Sequence, residues 1–146
     1  MAVRVLVRIE SLCGRTPGAV LETSGMANTG FEAEREDISL PLGAASRLGL
    51  WPPPPGARKR TVLAYGVMVD IQEIPDAARV RVLTPDRQGP EVVCQATLTD
   101  TDDEVVLSDA LTQGLAIDPF RPKDGFWRFS DEALAVSRPS VPAQTW

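Results

Sequence analysis

The sequence has no histidine, and only two cysteines and two lysines among its 146 residues. Without histidine there is no Cys-His nucleophile, no Ser-His-Asp triad and no zinc site built on imidazole. Cys13 and Cys94 are too few for a four-cysteine zinc cage. Each reads as a small buried residue, and whether they pair depends on geometry. No apolar run approaches the roughly 20 residues of a membrane-spanning helix. There is no glycine-rich phosphate loop and no metal set with the right ligands, so neither a cofactor nor a metal is expected. The net charge of −5 argues against a general nucleic-acid binder, which needs a basic face to neutralise phosphates. Arg58, Lys59 and Arg60 form the single basic run and read as a solvated loop beside the stiff connector Pro52 to Pro55.

Hydrophobic residues make up 43% and charged residues 24%, as in ordinary globular proteins, and the length fits one domain. Residues 2–9 alternate apolar and charged side chains, which predicts a strand with one buried face rather than a signal peptide. The chain is accordingly read as cytoplasmic, with no membrane partner. Residues 19–27 and 38–40 read as strands, and Pro41 opens a short helix over 42–48 that Gly49 stops. Residues 61–74 and 77–83 read as two β-branched strands, the second bounded by Pro75 and Pro85, and residues 91–99 as another. Val105, Val106 and Leu107 form an apolar core strand. A second brief helix spans 109–113, and short strands follow at 115–118 and 126–129. Residues 137–146, with Pro139 and Pro142, look like a loose tail. The pattern predicts a mainly β barrel or sandwich with one or two short helices in a domain over 1–132, followed by a C-terminal tail over 133–146.

Three segments taken in order resemble the retropepsin-like (retroviral-type) aspartic proteases. They are Ala27-Asn28-Thr29-Gly30-Phe31, then Ile38-Ser39-Leu40-Pro41 with Leu48-Gly49, then Val106-Leu107-Ser108 followed by residues 109–118. The resemblance covers residues 19–130. It implies a small closed β-barrel of the acid-protease lobe type, paired as a homodimer. Thr29, Gly30 and Phe31 would belong to the active-site loop. The hairpin region 61–74, with Tyr65, Gly66 and Val67 at its tip, would be the flap. It also implies terminal strands at the dimer interface, a role for Ala2 to Ile9 or for the C-terminal region. Two residues depart from the family pattern: Ser108 stands in place of a glycine, and Asn28 in place of the catalytic aspartate.

Asn28 changes the chemistry. An aspartic protease shares one proton between two carboxyl groups and moves it during attack. An amide has no proton to exchange near neutral pH, and a homodimer would present two of them. Losing such acid–base work costs about 10²–10⁴-fold, so the chain as written is not expected to be a competent protease. Asn28 is either native to a non-proteolytic branch or an inactivating substitution. The long acidic stretch Glu32, Glu34, Glu36 and Asp37 favours the former. Those carboxylates read as a solvated edge rather than a Ca²⁺ or Mg²⁺ site. The expected function is a silent homodimer that binds an extended peptide or protein segment. The alternatives are an inactivated aspartic endopeptidase and a purely structural dimerisation module.

Overall fold

The structure, a computed structural model, describes residues 2–27, 30–64 and 66–146. Asn28, Thr29 and Tyr65, three of the expected site residues, lie outside the described residues.

Strand β1 (Val3–Ser11) leads into β2 (Val20–Ala27), which runs to the expected active-site loop. Next come β3 (Asp37–Pro41), the helix α1 (Leu42–Arg47) and the hairpin of β4 (Arg58–Ala64) and β5 (Val67–Leu83). They are followed by β6 (Gln88–Thr99), β7 (Val105–Leu107), α2 (Asp109–Gly114), β8 (Ile117–Arg121), β9 (Phe126–Phe129) and β10 (Arg138–Pro139). The chain is mainly β. Six strands in the order β1-β2-β7-β3-β6-β5 close into a barrel through a β1–β5 pairing, and β4 hangs on β5 as a seventh. A small sheet, β10-β9-β8, lies beside it. Among the described residues no helix is long and apolar enough to cross a membrane.

Side-chain periodicity explains the barrel. Val3, Val5, Val7 and Ile9 alternate inward along β1 and meet Val80 and Val82 of β5. The short strands β3 and β7 are buried on both faces and make the parallel pairings, β3 with β6 and β2 with β7. Ile38, Leu40, Ala96, Leu98 and Leu107 complete the interior from the other side.

Three expectations need correction. The β-rich stretch 61–83 divides between Ala64 and Val67 and not at Pro75. Ala64 faces Val67 in the β4–β5 pairing, and Gly66 before Val67 takes φ 76°, a left-handed conformation that glycine adopts without penalty. Pro75 stays within β5 because the β5–β6 register skips there, from Ile74 to Ala78, with Asp76 at φ 47°. A bulge removes the need for a ladder N–H that proline lacks.

The second correction concerns β1. It does not lie open for an intersubunit sheet, because β2 lines one edge while β5 and residues 140–141 occupy the other. The third concerns residues 137–146, which are not loose. β10 pairs with β9, and Arg138 grips Asp86 and Glu132, each at 2.6 Å.

The small sheet is fastened to the barrel through Phe129. Its ring lies edge-on to Trp127 at 5.0 Å, with the Arg87 guanidinium 4.3 Å above it. A Cβ on Gly89 would stand 2.9 Å from the Phe129 ring, so only glycine lets β6 pass. Phe129→Ala should lower stability by about 3–5 kcal/mol in urea unfolding. Gly89→Ala should cost about 1–3 kcal/mol in the intact chain and much less in the Phe129→Ala background. Equal cost in both backgrounds would show that the ring is not the obstacle.

Candidate functional site

The register lays out a row of side chains on the outward face of the barrel. Met26 lies beside Val106, Val106 beside Ser39, Ser39 beside Thr97, and Thr97 beside Glu73. The row runs from the end of β2, just before the expected active-site loop, to the base of the β4–β5 hairpin. Val106, Ser39 and Thr97 are buried there, and Met26 is half-buried.

Asp37, at the start of β3, sits on the same face at 3% exposure. The sequence had grouped it with Glu32, Glu34 and Glu36, which are exposed as expected. Its carboxylate accepts from Thr97 Oγ1 at 2.9 and 3.0 Å and from Gln95 Nε2 at 2.9 Å. Gln95 Nε2 also donates to Glu73 at 3.2 Å, so one amide bridges two carboxylates. Arg60 reaches Glu73 at 3.3 Å from the exposed side of the hairpin. Burial pushes the Asp37 carboxyl up to about 6, opposed by the Gln95 and Thr97 bonds and reinforced by the charge of Glu73.

Ser108 has a structural role that a glycine could not fill. Its hydroxyl accepts from Leu111 N at 3.1 Å, capping α2, and from Asp37 N at 3.0 Å. Its own N–H donates to Asp37 O, and Asp109 N donates to Phe31 O, both at 3.0 Å. The end of the expected active-site loop, the start of β3 and the start of α2 are therefore tied at one point.

Of the expected site residues, Gly30 and Phe31 lie at this junction, while Gly66 and Val67 stand at the hairpin tip. β4 packs substantially on β5 alone. The β5–β6 pairing begins only at Gln72, opposite Leu98. Residues 67–71 thus form a two-stranded overhang on which Leu63, Val67 and Met68 are 70%, 61% and 64% exposed.

Sequence reasoning missed Asp37, Gln95, Thr97 and Glu73. One signal was present: a period of two through 37–40 separates Asp37 and Ser39 from the inward Ile38 and Leu40. A shallow depression of about 350 Å³ opens beside Gln95, lined by Glu34, Arg35, Glu36, Asp76, Val93 and Cys94. Among the described residues no three acidic or cysteine side chains come together to hold a metal ion. Cys13 and Cys94 are both free thiols.

The chain matches no protein-family model and no curated protein.

Two consequences can be measured. The protonated Asp37 carboxyl favours the folded chain, since its folded value lies above the ordinary 3.8. That contribution is complete below pH 3.8 and is lost as pH rises to about 6, a decline of about 2–3 kcal/mol. Asp37→Asn should abolish the decline, so the stability difference between variant and parent should change across this window in urea titrations. A pH-independent difference would contradict the assignment. Separately, Ser108→Ala orphans two buried N–H groups and should cost about 1–3 kcal/mol, whereas a loss below a few tenths would show that both find other partners.

Proposed function

We propose that the chain is a retropepsin-like lobe without a catalytic carboxyl, and that it pairs with a second copy and holds an extended peptide against the β4–β5 hairpin. The observation that carries this reading is the overhang. Among the described residues no strand lies beside the inner edge of β5 from Val67 to Ile71, and Leu63, Val67 and Met68 nearby are exposed. A free strand edge with apolar neighbours suits strand addition, in which backbone hydrogen bonds supply affinity and side-chain pockets supply selectivity.

The order of elements supports the family side of the reading: a strand ending at Ala27, a second strand, a short helix ending at Leu48-Gly49, a hairpin, then an apolar strand and a helix. The knot of Phe31, Asp37, Ser108 and Asp109 holds the end of the expected active-site loop against two elements, as a scaffold retained after loss of the acid requires. Because β1 is engaged on both edges, pairing of two copies falls to the region around Gly30 and Phe31 and to the overhang.

Fluorescence anisotropy against a library of extended peptides tests the proposal. At least one peptide should bind the chain, and Val67→Asp with Met68→Asp should weaken it by tenfold or more without altering the melt. Absence of any binding at high micromolar concentration would sink the reading. Acid-dependent cleavage gained by Asn28→Asp would instead identify a silenced protease.

A further inference from the structure

Strand β5 is held unequally on the two sides of its bulge. Beyond the bulge it is fixed several times over: Ala78 pairs with Cys94 of β6 and with Ser11 of β1, and Ala77 O accepts from Leu12 N at 2.8 Å. Before it, three residues alone join the barrel ladder, Gln72 opposite Leu98, Glu73 opposite Thr97 and Ile74 opposite Ala96. Of these three, Ile74 is buried and the other two are half-buried. Residues 67–71 ahead of them pair, among the described residues, with β4 alone. The register sets residues 75–77 against the single Gln95, so β5 has slack at that point, and Asp76 at φ 47° takes the bend.

Gln95 spans this hinge. Its backbone lies in β6 beside Asp37 of β3, and its Nε2 donates to Asp37 at 2.9 Å and to Glu73 at 3.2 Å. One neutral amide thus ties the three-residue ladder to the barrel wall. The charged and titratable groups on the elements around Asp37 are Glu73 and Asp76 from β5, Arg60 of β4 behind Glu73, Cys94 from β6, Asp109 at the start of α2, and Arg35 and Glu36 just before β3. Among the described residues, Glu73 alone shares a donor with Asp37. An ionised Asp37 therefore stands in a dry site beside a like charge, held by neutral donors. Opening of residues 72–74 takes Glu73 away and admits water, and both changes favour the ionised form. Protonation favours the closed ladder for the same reasons.

We propose that the Asp37–Gln95–Glu73 bridge is a proton-operated latch on the β4–β5 hairpin: protonated Asp37 keeps residues 72–74 closed on β6, and ionised Asp37 lets them fray at the Pro75–Asp76 hinge. The latch concerns the motion of the hairpin and does not rest on a peptide binding there. The carboxyl lies at about 6 in the closed state and returns toward its ordinary 3.8 once hydrated. Closure is therefore favoured fully below pH 3.8, and the advantage is lost as pH rises through about 6. A difference of this size limits the whole change to about a hundredfold.

Native-state amide exchange on the full chain tests this, with rates corrected for the intrinsic effect of pH. Residues 72–74 should exchange faster than Val7 and Leu107 and respond less to urea below the unfolding range, the behaviour of local opening. Their protection should fall about tenfold or more from pH 4.5 to 7. In Asp37→Asn that fall should disappear. In Gln95→Met, which keeps the side-chain length and removes the donor, it should shrink below about threefold. The proposal is overturned if residues 72–74 share the rates and urea response of Val7 and Leu107, if their protection does not fall across this range, or if Asp37→Asn keeps the fall. Should Asp37→Asn not fold, Gln95→Met decides: a fall of the parent's size there overturns the latch, and its loss supports it.

Discussion

The barrel closes because a single strand, β5, serves three partners. Its first part forms the hairpin with β4, its middle and end pair with β6, and its last residues also reach β1. No straight strand can do this. The register shift at Ile74–Ala78, with Asp76 in a left-handed conformation, turns β5 from the overhang into the barrel wall. The overhang and the closed core are thus two ends of one element, and the bend at Pro75–Asp76 sets the angle between them.

Around that frame the polar groups of the outward face are few and highly connected. Asp37 has hydroxyl and amide donors, but among the described residues no cation is bonded directly to its carboxylate. The nearest guanidinium in the network, Arg60, bonds to Glu73 instead. A buried carboxylate held by neutral donors stays near its midpoint of ionisation in mildly acidic solution, whereas one paired with arginine would stay charged. The contrast is visible within the chain: the Arg138 bonds hold Asp86 and Glu132 below the usual carboxylate range.

Much of the fold was legible because periodicity and turn residues were local. The alternation in 3–9, the all-apolar 105–107 and the helix stop at Gly49 needed no knowledge of partners. What escaped was non-local. Pro75 looked like a boundary because its cost depends on whether the opposing strand requires its N–H, and β6 skips that position. Asp37 looked exposed because it adjoins three exposed glutamates, and only the pairing with Gln95 and Thr97 buries it. Residues 140–146 looked loose because most of their bonds go to residues distant in sequence: Arg4, Ser24 and Thr23 lie more than a hundred residues away. Three of the expected site residues lie outside the described ones, and the others are placed at the loop junction and the hairpin tip.

The two thiols are unequal in a way that experiment can exploit. Cys94 is sealed at 2% exposure, and burial, with the charges of Asp37 and Glu36, raises its pKa far enough to suppress the thiolate. Cys13 lies half-buried in the turn between β1 and β2, beside the Pro52 to Pro55 loop. A maleimide dye added to the folded chain should therefore mark one position, giving a single-site optical reporter without removing either cysteine. The second thiol then becomes a clock for unfolding, since it reacts only when β6 leaves the barrel.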